Sequence, residues 1–243
     1  MINARLKNLK KSKPALHKVI AERFSKKKFA GLPFTLLIIV FIVNLLVLLD
    51  FVEDLINSKS FVVMDANTLK FFSSIRAAPV SRAFYLFTQA GTNITIIALT
   101  LSATILFLWK KKYHYIVALL IVVAGSGISV YAGKNTFHLL RPATGAYYLI
   151  KSFSFPSGHA TYAVSLYGLF LYMLLRQLST PAKRAAVLFA GVLFILLLGI
   201  SRLYLGVHFL SDVLGGFMLG MLWLLSGIYI MEWHEYRLKH NKT

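Results

Sequence analysis

This chain has no cysteine and few acidic residues. The missing thiols exclude disulfide bonds and thiolate metal sites, which permits an oxidising compartment without proving one. Charged residues make up 14% of the chain, whereas a soluble domain carries roughly a quarter. Because 58% of the residues are hydrophobic and gather in long runs, the sequence predicts an all-α polytopic membrane protein.

The scarcity of acids leaves a formal net charge of +19, which raises the question of nucleic-acid binding. Ten of the 27 basic residues lie within residues 1–28, before the first apolar run. A cytoplasmic basic tail lying against anionic headgroups explains them more simply. The charge is accompanied neither by a basic folded surface nor by an aromatic motif for reading bases, so nucleic acid is not a predicted partner.

Six apolar runs are long enough to cross a bilayer as helices. They are Pro33–Phe51, Thr92–Trp109, Tyr115–Gly133, His159–Leu175, Ala185–Ser201 and Phe209–Met231. The mixed segment Val52–Gly91 predicts short amphipathic helices at the interface and is the best candidate for selecting a substrate. The predicted organisation is a basic cytoplasmic tail over 1–30, a six-helix membrane domain over 31–235 and a short cytoplasmic tail over 236–243.

The distribution of positive charge predicts the orientation of these spans. Six spans put both termini on one side, together with the loops at Lys110–Lys112 and Arg176–Arg184. That side holds nineteen Lys and Arg, and the other side holds eight. The richer side is expected to be cytoplasmic. The segments Lys134–Gly158 and Arg202–His208 are therefore predicted to lie together on the outer face.

The first polar cluster interrupts the end of the third run. Lys134 closes that run, and Arg141, followed by Pro142, comes seven residues later. On a continuing helix this spacing is about two turns, so both cations would point the same way. Two interfacial cations reaching toward headgroups would give the same pattern, so this cluster alone indicates little.

The second cluster, Pro156-Ser157-Gly158-His159, stands at the start of the fourth run. Pro156 and Gly158 shape a turn, and the following helix presents free backbone N–H groups at its positive end. With the hydroxyl of Ser157 these groups form an anion site that has His159 at its entrance. An ordinary serine cap beside an interfacial histidine is the alternative.

The third cluster contains Ser201, Arg202, His208 and Asp212. His208 and Asp212 are four residues apart, hence on one helix face. A carboxylate bonded to one ring nitrogen fixes the tautomer and makes the other nitrogen a better nucleophile, while Arg202 offers a planar donor fork for phosphate. A buried His–Asp pair that only joins two helices is the alternative, although an ionisable residue inside a span favours function.

The sequence has few carboxylates that could bind a metal ion. Asp212 is the single acid between Asp65 and Glu232. Phosphate chemistry on two divalent cations needs several carboxylates, because hard cations prefer oxygen ligands. Lys and Arg stand where such a metal would be expected. The sequence therefore predicts neither a metal site nor a cofactor.

Together the three clusters resemble the type 2 phosphatidic acid phosphatase family, whose pattern is K-x6-R-P, P-S-G-H and S-R-x5-H-x3-D. Every defining position is matched here, in order and in spacing. By motif the resemblance covers about the last 110 residues, and the first 80 residues contribute nothing to it.

The resemblance implies a reaction and a role for each matched residue. His208 would attack phosphorus, Asp212 would orient it, and His159 would protonate the leaving oxygen and then activate water. The implied phosphate ligands are Lys134, Arg141, Ser157, Gly158 and Arg202. Positioning and charge stabilisation of this kind are what phosphoryl transfer requires. His138, an extra histidine inside the first motif, receives no role.

The predicted substrate is a phosphorylated membrane lipid, because a site at the outer ends of spans admits a headgroup while its tails stay in hydrocarbon. The lipid is left open among undecaprenyl diphosphate, phosphatidylglycerol phosphate, phosphatidate and a lipid A phosphate of a bacterial plasma membrane. Transfer to a second lipid is the alternative reaction. A transporter is disfavoured because the motif charges gather at one face. The oligomeric state is left open.

Overall fold

The computed structural model describes residues 32–143 and 145–240, and every regular element in these ranges is helical, which confirms the all-α prediction. The helices are α1 (Leu32–Asn57), α2 (Lys59–Ser74), α3 (Ala78–Thr88), α4 (Asn93–Trp109), α5 (Tyr113–Phe137), α6 (Gly158–Leu175), α7 (Pro181–Tyr204) and α8 (Leu210–His240). The predicted tail over 1–30 lies outside the described residues. The last helix continues beyond the domain boundary predicted at residue 235.

Five of the described helices, α1, α5, α6, α7 and α8, are long and apolar enough to cross a membrane. A sixth span results if α3 and α4, which are bent by 45° at a short break, are counted as one. Each of the six predicted runs begins within four residues of one of these helices, but the first and the last run end six and nine residues before α1 and α8 do. Large apolar side chains cover the outward surfaces, with Ile94 81% and Ile105 67% exposed. The protein is therefore an integral membrane protein.

Helix α8 is central to the bundle and contacts α1, α5 and α6. Gly216 and Gly220, one turn apart on α8, face the start of α6. A Cβ atom on Gly216 would lie 2.7 Å from the carbonyl oxygen of Ser157, and one on Gly220 would lie 2.5 Å from that of Thr161. Helices in membranes associate closely through small residues of this kind. These glycines bring the first turn of α6 directly against α8.

The segment predicted to contain short amphipathic helices holds α2, α3 and a 3₁₀ turn at Gln89–Gly91. The joint between α2 and α3 is fastened to the last residue of α7, Tyr204. Arg76 Nε donates to the Tyr204 carbonyl at 2.9 Å, and the Ala77 N–H donates to the Tyr204 hydroxyl at 2.9 Å. Helix α2 is thereby held against α7 and α8, which it contacts directly.

All three sequence motifs meet at one end of the bundle. The end of α5 carries the first motif, the start of α6 the second, and the turn between α7 and α8 the third. Between α5 and α6, residues 138–143 and 145–157 are irregular and cover these helix ends. Its Tyr147 N–H donates to the Leu205 carbonyl at 2.9 Å, and its Ser154 N–H donates to the Leu139 carbonyl at 2.8 Å.

Candidate active site

A short turn between α7 and α8 positions the histidine of the third motif. Gly206 has a φ of +67°, a left-handed conformation that ends α7 at little steric cost. His208 follows in this turn and is 3% exposed. Its Nδ1 lies 3.2 Å from Oδ2 of Asp212, in the first turn of α8. The structure therefore brings these two predicted site residues into contact.

The carboxylate of Asp212 is held by further donors. Its Oδ2 accepts the Phe209 N–H at 2.8 Å and the hydroxyl hydrogen of Ser154. These contacts fix the orientation of the carboxylate, which in turn favours the His208 tautomer that carries its proton on Nδ1. Nε2 of His208, which carries the lone pair in that tautomer, is turned away from Asp212 and lies 3.0 Å from Nη1 of Arg141.

Ser154 is a site residue that the sequence patterns did not reveal. Besides its bond to Asp212, its Oγ lies 3.4 Å from Nδ1 of His208. The serine and the aspartate are 58 residues apart, and Ser154 lies in an irregular segment where no periodicity relates the two. The available signal was its place in the polar run that leads into the second motif.

Lys134 and Arg141 do not lie on one continuing helix, so the condition under which their spacing would align them is not met. Helix α5 ends just before His138, whose φ of 51° is left-handed. The cations nevertheless converge, because both donate to the carbonyl oxygen of Phe153. Arg141 also places its Nη1 3.0 Å from Nε2 of His208.

Both cations hold the backbone of residues 152–154 in this structure. Arg141 Nε donates to the Ser152 carbonyl at 2.7 Å, and Lys134 Nζ donates to the Ser154 carbonyl at 3.2 Å. Carbonyl oxygens carry partial negative charge, so a phosphate would compete for the same donors. Their role as phosphate ligands remains a prediction.

Arg202 is 1% exposed and is held from two sides. Its Nη1 donates to Thr88 Oγ1 at 2.8 Å and to the Tyr148 hydroxyl at 2.7 Å. The guanidinium carbon also lies 5.7 Å from the centre of the Tyr148 ring, in a cation–π contact. The sequence patterns indicated neither partner. Thr88 belongs to the segment 52–91, the candidate for selecting a substrate.

The start of α6 carries the second motif. Ser157 occupies the cap position, but its hydroxyl makes no cap bond and has no hydrogen-bond partner within the described ranges. The ordinary serine cap considered above is therefore absent. The same lack of a described partner applies to the buried His159 Nε2 and Arg202 Nε. Buried polar atoms are normally satisfied, and a polar ligand is one way to satisfy these three.

A cavity of about 610 Å³ extends from the motif residues along α4, α5 and α6. At its polar end it is lined by Lys134, Arg141, His159, Arg202 and His208. The walls away from this end come from α4, α5 and α6 and are mostly apolar. They include Ile96, Ile97, Val123, Val130 and Tyr162.

The polar end of this cavity is strongly positive. Burial, and after it the charges of Arg141, Arg202 and Lys134, lower the pKa of the His208 imidazole well below its ordinary value. The lowered pKa favours the uncharged imidazole, which donates from Nδ1 to Asp212 as a hydrogen bond. Across residues 32–143 and 145–240, no group of three or more His, Asp or Glu side chains could hold a metal ion.

Comparison with known proteins gives matches in sequence. A family model described as PAP2 superfamily matches residues 113–237, which include all three motifs. Phosphatidylglycerophosphatase B of Bacillus subtilis (strain 168) is 44% identical over 91 residues, 37% of this chain and 44% of that protein. Lipid A 4'-phosphatase of Bacteroides thetaiotaomicron is 28% identical over 175 residues, 65% of this chain and 72% of that protein. The match to the first relative thus spans less than half of its length.

Two solved structures share the fold. One is the crystal structure of the first transmembrane PAP2 type phosphatidylglycerolphosphate phosphatase from Bacillus subtilis. It superposes with a TM-score of 0.70 at 27% identity, covering 80% of this chain and 96% of that one. Aquifex aeolicus LpxE superposes with a TM-score of 0.54 at 21% identity, covering 68% and 94%. The second likeness bears on the fold alone.

Proposed function

The chain belongs to the PAP2 superfamily, and on that premise we propose that it is a metal-independent lipid phosphatase working through a phosphohistidine at His208. One observation carries the proposal. Ser157 Oγ, His159 Nε2 and Arg202 Nε are buried and lack a partner among the described residues. His159 and Arg202 line the cavity that His208 also lines, and Ser157 directly precedes Gly158, another lining residue. A phosphoryl group and its leaving oxygen offer partners to all three.

In the first step, Nε2 of His208 forms a bond to phosphorus while the bond from phosphorus to the ester oxygen breaks. A protonated His159 gives its proton to that oxygen, which leaves as the alcohol. The negative charge of the bound phosphate stabilises the protonated imidazole. Nδ1 of His208 keeps its proton, and Asp212 stabilises the positive charge that develops on the ring.

In the second step, the now neutral His159 takes a proton from water. The water oxygen bonds to phosphorus, the bond from phosphorus to Nε2 breaks, and inorganic phosphate is released. His159 is then protonated again, and His208 returns to its starting form. The two steps together consume one water molecule and regenerate every group.

In this proposal Arg141 and Arg202 hold the transferred phosphoryl group. Arg141 Nη1 lies 3.0 Å from Nε2 of His208, so phosphorus bonded to that nitrogen would have its oxygens beside the guanidinium. Thr88 and Tyr148 occupy Nη1 of Arg202 and leave Nε without a described partner. Fixed cations of this kind stabilise the charge of a phosphoryl transition state.

The apolar part of the cavity supports a lipid as the substrate. Ile96 and Ile97 of α4 and Val123 of α5 line it away from the motif residues. Acyl chains would lie between these helices while the phosphate reaches His208. Phosphatidylglycerophosphate is the first lipid to test, because the names of one similar protein and one similar solved structure, both of Bacillus subtilis, carry it.

The proposal is tested by phosphate release from purified protein with EDTA present, across the four lipids that the sequence left open. We expect release from at least one long-chain lipid phosphate. Glycerol phosphate should react more than about 100-fold less efficiently in kcat/KM, because each buried methylene group contributes about 0.8 kcal/mol to binding. A colorimetric phosphate assay, with lipid products separated by chromatography, measures both quantities.

Three other results would each count against one part of the proposal. Loss of activity with EDTA and its recovery with magnesium would contradict metal independence. Equal efficiency with glycerol phosphate would contradict the assignment of a lipid substrate. Formation of a second phosphorylated lipid, with no free phosphate released, would favour the phosphotransferase over the phosphatase.

We also propose that the site faces the cell exterior, with both termini in the cytoplasm. The charge distribution supports it, with nineteen Lys and Arg on the side of the termini and eight on the other. The chain has no cysteine, so one introduced cysteine is the only thiol, and its labelling reports that position alone. In intact cells, a membrane-impermeant maleimide should label Lys151→Cys, in the segment beside the motifs.

Lys183→Cys at the start of α7, at the other end of that helix from Arg202, is the matched control. Both lysines are exposed, so differences in labelling report the side of the membrane rather than burial. Lys183→Cys should react only after permeabilisation. Labelling of Lys183→Cys in intact cells, with Lys151→Cys protected, would invert the proposed topology.

A further inference from the structure

A second carboxylate lies beside the site and takes no part in the mechanism above. Asp65 is on α2 and is 8% exposed. Its Oδ1 accepts the backbone N–H of Ser211 at 2.9 Å, and its Oδ2 accepts the Ser211 hydroxyl at 2.6 Å. Ser211 is 2% exposed and directly precedes Asp212. The carboxylate of Asp65 therefore contacts, from another helix, the first turn of α8, which carries Asp212.

The contact caps the first turn of α8. The first N–H groups of a helix have no partner within it. Asp212 satisfies the Phe209 N–H from its own helix, whereas the Ser211 N–H is satisfied by Asp65 from α2. The helix that carries Asp212 thus begins between two carboxylates, and both interact favourably with its positive end.

Helix α2 is a firm support for this contact. Its Phe72 packs on the buried cluster formed by Ala160, Leu203 and Val213, and its C-terminal joint is fastened to Tyr204 by the bonds described above. Burial raises the pKa of Asp65, the bonds from Ser211 oppose that rise, and the charge of Asp212 adds to it. A carboxylate kept in such surroundings needs its two donors to be in place.

We propose that Asp65 is a positioning residue that holds the first turn of α8 so that Oδ2 of Asp212 stays on Nδ1 of His208. The inference deepens the proposed function and rests on it for its catalytic consequence. Asp65 touches neither the cavity nor the phosphate, so it acts through Ser211 and Asp212. It also gives the segment 52–91 a role in catalysis, although that segment lies outside all three motifs.

Replacing Asp65 with alanine removes both acceptors and leaves the Ser211 N–H without a partner. Loss of an outer partner of a site residue typically costs about 10- to 100-fold in activity. We expect kcat per folded protein to fall by that factor, with KM changed little. Asp65→Asn should recover most of the loss, because its carbonyl accepts the Ser211 N–H and its amide donates to the Ser211 hydroxyl.

Two readouts separate positioning from a merely structural role. In an Asp212→Asn background, Asp65→Ala should cause almost no further loss of kcat, because residues that act through one another are not additive. Nitrogen NMR of histidine-labelled protein should show less of the Nδ1–H tautomer of His208 in Asp65→Ala. The signal is assigned by its absence in His208→Asn. Asp54→Ala, a matched change at an exposed acid on α1, should alter neither readout.

The outcomes distinguish this inference from the proposed function. An unchanged kcat and an unchanged tautomer signal in Asp65→Ala would overturn the positioning role, even if the wild type is an active phosphatase. A full further loss in the Asp212→Asn background would overturn it as well. If the wild type hydrolyses no lipid but the tautomer signal still shifts in Asp65→Ala, the positioning role stands and the proposed function fails.

Discussion

Replacement of His208 by asparagine should reduce phosphate release by at least about 10⁴-fold, which is the scale of losing a covalent nucleophile. The asparagine amide can still donate to Asp212, so the turn between α7 and α8 is expected to keep its structure. It has no ring nitrogen with a lone pair to attack phosphorus. Steady-state phosphate release, together with the melting temperature in detergent, measures the effect on activity and on folding.

His138→Asn is the matched control for this substitution. His138 lies inside the first motif but is exposed, and its left-handed φ of 51° is one that asparagine tolerates. Activity of His138→Asn should stay close to that of the wild type. Residual turnover of His208→Asn within about tenfold of the wild type would place the nucleophile on another residue.

Asp212→Asn should be the second most damaging change, with a loss of about 10³- to 10⁴-fold in kcat, as for the aspartate of a catalytic triad. The carboxylate accepts from Nδ1 of His208 at 3.2 Å and favours the tautomer with a free Nε2. An amide group can instead donate to Nδ1, which moves the ring proton to Nε2 and removes the attacking lone pair. Single-turnover formation of the phosphoenzyme measures this step directly.

Ser154→Ala is a milder change at the same hydrogen-bond network, and its loss of activity is compared with that of Asp212→Asn. The serine orients the same carboxylate, but its removal leaves the charge of Asp212 and the Phe209 N–H bond in place. We therefore expect a much smaller loss, about tenfold to 100-fold, as for other outer partners. If Ser154→Ala were as damaging as Asp212→Asn, orientation by Ser154 rather than selection of the tautomer would be the main effect.

The parts of the site that sequence reasoning found are those whose members lie close together along the chain. His208 and Asp212 are four residues apart on one helix face, and the geometry of the helix alone predicts that they meet. Lys134 and Arg141 show the limit of that argument. The helix ends between them at a left-handed His138, and they converge through the carbonyl of Phe153 instead.

Contacts between distant segments were beyond the reach of the sequence. Thr88 holds Arg202 across 114 residues, and Asp65 holds Ser211 across 146. No periodicity encodes such pairs, because they depend on how α2 and α3 fold back onto the ends of α7 and α8. The apolar runs predicted the spans well, since their length is set by the bilayer, but composition is silent about this packing.

The central claim is that phosphate passes through His208, and trapping the intermediate tests it most directly. Wild-type protein turning over a lipid with a radiolabelled phosphate is quenched in alkali, where phosphohistidine survives, and the labelled peptide is sequenced. We predict the label on His208, on the millisecond-to-second time scale of turnover, and no labelled peptide from His208→Asn. Label on another residue, or phosphate release by the wild type without any labelled peptide at any quench time, would contradict the mechanism.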